Sequence, residues 1–253
     1  MTFITMPKNN LKNIKQLFID CDIEVERLIS KIFALGARNL SNENLEFGSA
    51  IIDLGFEKTS LGLFKNLALI HSITFPIGIN HITKDISKIC SLELKESELI
   101  KDKIDFLFEN NIDIFDEKNN LKINYFVNSN FRKISKNLIF DVAKSRIDEI
   151  VENIKKQLMI PGFDKKTGIN FFLTGENSNL INIEKYFSNN IGSDVKKLKE
   201  FNTNDNKLEN EFSSCFGALK IIKDGWETEA IPKKNDINIE KAGFFSKIFG
   251  FNQ

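Results

Sequence analysis

Gly48-Ser49-Ala50-Ile51-Ile52-Asp53-Leu54-Gly55 runs an apolar segment into an acidic residue and a glycine, and Thr59 opens a second apolar segment beyond Phe56-Glu57-Lys58. Ala50–Ile52, Leu61–Phe64 and Leu67–Phe75 are short apolar runs separated by polar breaks, which predicts a three-stranded meander ended by Pro76. A turn of the form Asp-x-Gly-x-x-x-Thr can set backbone N–H groups and a hydroxyl around a phosphate, with the Asp holding a water of a bound Mg²⁺. An ordinary hairpin with a bent loop has the same form, and on this element alone it is the commoner case.

Outside the meander the apolar period lengthens to that of helices. Pro7 opens a stretch with Leu11, Ile14, Leu17 and Phe18 at helical spacing, and Leu28, Ile32 and Leu35 predict a second helix closed by a polar loop at 41–46. Downstream, Ile79, Ile82, Ile86 and Ile89 predict one helix, and Leu99, Ile100, Ile104 and Leu107 another. A strand is expected over 121–127, then a long helix over 137–158 with Ile139, Val142, Ile147, Ile150, Val151, Ile154 and Leu158 on one side. Ile169–Thr174 reads as a buried strand stopped by Gly175, with a helix over 180–187 after Ser178. A short strand near Val195 and a helix over 208–222 follow. Strands and helices interleave throughout, so the class is α/β or mixed.

The 253 residues are 42% hydrophobic, enough for a substantial core, and 35 basic residues balance 35 acidic ones. No global charge therefore draws the chain to nucleic acid or to an anionic membrane, and any such binding must be local. Cys21, Cys90 and Cys215 are odd in number and far apart, and with only His71 and His81 beside them they form neither a disulfide framework nor a zinc ribbon. The most apolar stretch, 61–79, is interrupted by Lys65, Asn66, His71 and Pro76, so no membrane-spanning helix is expected. Phe numbers 24 against two Tyr and one Trp, a compositional bias that makes Phe the default core aromatic here.

Two further segments bear on chemistry. Leu173-Thr174-Gly175-Glu176-Asn177-Ser178 carries a strand through a glycine turn towards a helix; Glu176 disfavours a phosphate there, whereas an adenosine is easier to accept. The chain loses its period over 224–240, read as a linker, and regains it over 241–253. There Phe244, Phe245, Ile248, Phe249 and Phe251 share one face, with Lys241 and Lys247 the only charges. Such a helix suits the plane of a lipid interface, with Phe244, Phe245, Lys247, Ile248, Phe249 and Phe251 as the contacts; docking back on the body is the alternative.

The order of these elements carries a resemblance. The meander from Gly48 to Gly55, then Phe75-Pro76-Ile77-Gly78-Ile79-Asn80-His81-Ile82-Thr83-Lys84-Asp85-Ile86, then Glu96-Ser97-Glu98-Leu99-Ile100-Lys101, then Thr174-Gly175, is similar to the second half of an actin-like ATPase of the FtsA cell-division family. Ala143-Lys144-Ser145-Arg146-Ile147-Asp148-Glu149, the Gly217 helix and the amphipathic C-terminus extend the likeness along the whole chain. It implies an actin-like (ribonuclease H-like) second lobe with a smaller mixed α/β subdomain. The expected organisation is a core over 1–90 and 166–223, a smaller subdomain over 91–165, the linker, and the membrane helix.

By the same resemblance Asp53, Gly55 and Thr59 would face the phosphates of ATP, Asp53 would serve Mg²⁺, and Glu98, Lys101, Gly175 and Ser178 would line the adenosine. The family's turn carries glycines and Thr-Thr-Asp; here Phe56, Glu57 and Lys58 replace the two glycines and first threonine, and Ser60 the aspartate, which obstructs and repels a phosphate and implies reduced affinity. Lys58 could offset part of that repulsion. Met1–Pro7 resembles the last strand of the family's interaction subdomain, so the expectation is a half-site without independent hydrolysis. The family docks the acidic-hydrophobic tail of FtsZ on its smaller subdomain, for which Arg146 and Arg132 are the candidate contacts. The implied protein is a peripheral adaptor on the cytoplasmic face of the plasma membrane at the division septum, able to self-associate into filaments. Half of a split actin-like ATPase or sugar-kinase-like enzyme, or a truncated fragment without function, are the alternatives.

Overall fold

The computed structural model describes residues 4, 5, 7–25, 28–108, 113–160, 163, 169–198 and 212–223. The linker and the amphipathic segment over 241–253 lie outside them. The described residues fall into two compact units, one within Thr5–Leu28 and the other comprising Ile4 and the described residues of Ile29–Asp224. The first contains helix α1, Lys8–Ile19, which starts after Pro7 and ends where the Asp20 N–H returns to the Gln16 carbonyl.

The larger unit is built on a five-stranded mixed sheet in the order β3-β2-β1-β4-β5. β1 (Ser49–Leu54), β2 (Thr59–Lys65) and β3 (Ala68–Phe75) form the expected antiparallel meander, and β4 (Asn170–Thr174) and β5 (Val195–Lys197) extend it in parallel. β1 is central and buried on both faces, which explains its unbroken apolar run; β3 lies at the edge, and its alternate residues are exposed. β2 and β3 meet through Asn66 and Leu67, both at positive φ, and the pair's N–H groups bond to Glu46 and Leu45 carbonyls.

Helices cover both faces. Ala50, Ile52 and Leu54 share one core cluster with Ile82 and Ile86 of α4 (Asn80–Cys90), Ile100 of α5 (Leu94–Lys103) and Ile147 and Ile150 of α6 (Lys136–Gln157). On the opposite face, Gly62 of β2 lies against Ile32 of α2 (Lys31–Asn39), and Gly36 of α2 lies against the Phe64 ring. α2 in turn packs on α8 (Ser213–Lys223), where a Cβ on Gly217 would lie 2.1 Å from the Ala34 carbonyl oxygen. Because strand side chains alternate, Ser49, Ile51 and Asp53 project towards α2.

Three expectations are corrected. The 41–46 loop is largely helix α3 (Asn42–Phe47), because the Ser41 hydroxyl accepts the Asn44 N–H as an N-cap and Leu45 is buried. No strand forms over 121–127: Leu121 makes a single bridge to Phe115, and a 3₁₀ turn occupies Ile123–Tyr125. The helix expected from Leu180 is α7, Ile183–Ile191, preceded by a 3₁₀ turn at Glu176–Asn179. The long helix is as expected, with the Ser135 hydroxyl accepting the Leu138 N–H at its start.

Candidate functional site

Asp53 of β1 and Thr174 of β4 are parallel neighbours in register, so the turns that follow, at Gly55 and Gly175, emerge side by side at the carboxyl end of the sheet. Open α/β sheets bind ligands at such an edge. Gly175 has φ +104°, and a Cβ there would lie 2.6 Å from the Leu54 carbonyl oxygen and 3.0 Å from Asp53 Oδ1. Only glycine permits both the conformation and the approach. Asp53 itself is 4% exposed, and its Oδ2 lies 2.7 Å from Nζ of Lys31, the first residue of α2.

The β1–β2 turn is stitched to the start of α4. The Gly55 N–H donates to the Lys58 carbonyl at 3.0 Å, while the Ile79 and Asn80 N–H groups donate to the Gly55 and Phe56 carbonyls at 3.1 and 2.9 Å. The Thr59 hydroxyl, fully buried, donates to the Ile77 carbonyl at 2.7 Å. Phe56 is exposed. Glu57 accepts from Asn80 Nδ2 at 2.6 Å and from Lys84 Nζ at 2.9 Å, and these bonds, Lys84 first, hold its carboxyl below the usual range. The partner of Glu57 is thus Lys84 rather than Lys58, a pairing across 27 residues that no local pattern reveals.

Of the residues assigned to the adenosine, Gly175 and Ser178 share the second turn, with the Ser178 N–H donating to the Gly175 carbonyl at 3.0 Å and its side chain buried. Glu98 is exposed on α5, whereas Lys101 is 3% exposed with Nζ 3.1 Å from Asp102 Oδ1. The end of α5 is tied to the segment after that turn: the Phe106 N–H donates to the Ile181 carbonyl at 3.0 Å, and Asn182 Nδ2 donates to both Asp105 oxygens at 3.0 Å. These bonds tie the segment just beyond α5 to the segment that follows the second turn.

The two arginines differ in their engagement. Arg146 Nε donates to Asp85 Oδ2 of α4 at 2.6 Å and its Nη1 to Glu149 at 2.6 Å, and these bonds, Asp85 first, raise its already high pKa. It joins α6 to α4. Arg132 is exposed, donates to the Ser91 carbonyl, and lines an open hollow with Asn128, Ser129, Asn130 and Phe131.

Beneath that hollow lies a residue the sequence reading passed over. Glu96 of α5 is 1% exposed; its Oε1 accepts the N–H groups of Val127, Asn128 and Ser129 at 2.6, 2.7 and 2.9 Å. Its Oε2 accepts the Glu93 N–H at 2.9 Å and the Ser129 hydroxyl. Burial pushes the carboxyl up, but the Ser129 hydroxyl and these N–H groups outweigh it and hold the group at about 2. A capping-box reading of Glu93 and Glu96 could have found half of this arrangement. The two histidines serve the fold: His71 Nε2 pairs with Gln157 at 3.1 Å, and His81 Nδ1 sits 3.2 Å from the Gly78 backbone. Among the described residues no group of three His, Cys, Asp or Glu side chains could hold a metal ion, and no helix is long and apolar enough to cross a membrane.

Comparison with known proteins places the chain. The family model "Cell division protein FtsA" matches residues 50–217. The FtsA of Agrobacterium fabrum is 26% identical over 180 residues, covering 71% of this chain and 41% of that protein. That of Buchnera aphidicola subsp. Baizongia pistaciae is 29% identical over 232 residues, covering 87% of this chain and 53% of that protein. The chain thus spans about half or less of the length of these curated relatives. Among solved structures, MreB5 of Spiroplasma citri bound to ADP superposes with a TM-score of 0.62 at 16% identity, covering 88% of this chain and 68% of that one. The MamK filament superposes with a TM-score of 0.59 at 14% identity, covering 87% and 67%. The fold is therefore actin-like, and with the family model matching more than half of its residues, the chain belongs to the FtsA family of cell-division proteins.

Proposed function

We propose that the chain is a peripheral adaptor that tethers FtsZ filaments to the cytoplasmic face of the plasma membrane at the division septum. The observation that carries this reading is the match to the FtsA model over residues 50–217, with the sheet, both turns and the arginine-bearing elements inside it. Phe244, Phe245, Lys247, Ile248, Phe249 and Phe251 supply the lipid contacts, each large apolar side chain contributing about 1.5–3 kcal/mol at full burial. One short helix binds reversibly, and self-association into actin-like filaments multiplies the anchors.

Arg132 is the first contact for the FtsZ tail, because its guanidinium faces an open hollow and suits a carboxylate-bearing peptide. Arg146 can contribute only by sharing or giving up Asp85 and Glu149. A nucleotide occupies the carboxyl end of β1 and β4, with its phosphates towards Asp53, Gly55 and Thr59 and its adenosine towards Glu98, Lys101, Gly175 and Ser178. Thr59 lends its backbone there, since its hydroxyl is committed to Ile77.

The test is co-sedimentation of the full chain with vesicles containing anionic lipid, with and without residues 241–253, and with FtsZ added. Binding by the full chain alone, and recruitment of FtsZ that Arg132→Glu abolishes, is the expected result. Equal sedimentation of both forms, or FtsZ recruitment indifferent to Arg132, overturns the lipid and tail assignments respectively.

A further inference from the structure

Asp53 is the one carboxylate within β1 and β4, and its neighbours in register are Ser60 on one side and Thr174 on the other. A magnesium ion at a nucleotide's phosphates uses one or two protein carboxylates, so the state of Asp53 decides whether it can serve one. The carboxylate is already matched. Its Oδ2 lies 2.7 Å from Lys31 Nζ, its Oδ1 is backed by Gly175, and the group is 4% exposed, a depth at which an unpaired charge would be unfavourable. The residues present do not fit a magnesium ion at Asp53.

Lys31 is not placed there for the sake of its helix. It is the first residue of α2, behind Ser30, where the helix dipole opposes a cation, and the basic charge is compensated only across space by Asp53. Its side chain is 60% exposed, so the ammonium caps the carboxylate on one side and meets solvent on the other. An ammonium is a compact point charge with three donors, which suits a phosphate oxygen. Glu57 in the adjoining turn is drawn away by Lys84 and Asn80, and Lys58 ends that turn in an exposed position.

We infer that Lys31 takes the place of the divalent cation beside Asp53, so that this end of the sheet accepts the phosphates of a nucleotide without a metal ion. The inference rests on the nucleotide reading above. A magnesium ion added at this position would set a second positive centre against one carboxylate.

The experiment is titration of the full chain with ADP by calorimetry, once in EDTA and once in excess Mg²⁺. The wild type binds in both, with dissociation constants within about threefold of each other, whereas Lys31→Met binds at least about tenfold more weakly in EDTA and recovers with Mg²⁺. Lys31→Arg keeps the charge and remains indifferent to Mg²⁺. Wild-type binding that appears only with Mg²⁺ overturns the inference and leaves the nucleotide reading standing. No ADP binding under either condition overturns both. The wild-type comparison decides whether a metal ion is needed; circular dichroism establishes that Lys31→Met is folded before its result is used, and a folded Lys31→Met that matches wild type in EDTA removes Lys31 from the site and overturns the inference.

Discussion

Replacing Glu96 by Gln removes one negative charge and almost no volume, yet it strikes a carboxylate that accepts five hydrogen bonds. Three backbone N–H groups of the 127–129 segment end on Oε1, and the Glu93 N–H and Ser129 hydroxyl end on Oε2. An amide keeps one acceptor oxygen but turns NH₂ towards two donors, so bonds are lost and donors are left facing a donor. A carboxyl held at about 2 in the folded chain, against 4.5 in the unfolded one, contributes about 3 kcal/mol at neutral pH. Loss of several charge-assisted hydrogen bonds gives a figure of the same order. The sign follows from the depressed folded value: the contribution is complete above 4.5 and disappears as pH falls from 4.5 towards about 2. Urea denaturation of wild type and Glu96→Gln should therefore show a gap of about 2–3 kcal/mol at neutral pH that closes through this acid window. A neutral-pH gap under about 0.5 kcal/mol, or one that persists unchanged into acid, would refute the clamp. Because the clamped segment forms the floor of the Arg132 hollow, the variant should also bind the FtsZ tail less tightly at neutral pH.

Two further outcomes follow from the geometry. Arg146→Ala should lower stability by about 1 kcal/mol, since the pair joining α6 to α4 is partly solvated, and should weaken tail binding less than Arg132→Ala does; the reverse order in a peptide titration would make Arg146 the contact. Gly175→Ala should cost about 2–4 kcal/mol in thermal or urea unfolding, because its Cβ meets the Leu54 carbonyl at a φ of +104°, and a change under about 0.5 kcal/mol would mean that the turn moves freely away from β1.

Local pattern was enough for the elements whose causes are local. The apolar run of β1, the eight-residue alternation of β3 and the helical stripe from Ile139 to Ile154 each follow from period and burial, and their order carried the family likeness. The same reasoning misread 121–127, where Leu121, Ile123, Tyr125 and Val127 alternate as a strand would. A strand exists only with a neighbour to bond, and here the backbone donors at 127–129 go instead to a carboxylate more than thirty residues earlier.

The candidate site divides in the same way. Asp53, Gly55 and Gly175 stand out in the sequence because a buried acid and two glycines at strand ends are unusual choices with steric consequences. What surrounds them does not. Lys31 with Asp53, Lys84 with Glu57, Thr59 with Ile77 and Arg146 with Asp85 are pairings between residues 18 to 61 positions apart. The sequence by itself determined the periodic elements, their order and hence the family. Only the tertiary structure decided which charge meets which, because ion pairs and hydrogen bonds depend on distances in space of about 3 Å that chain separation does not encode.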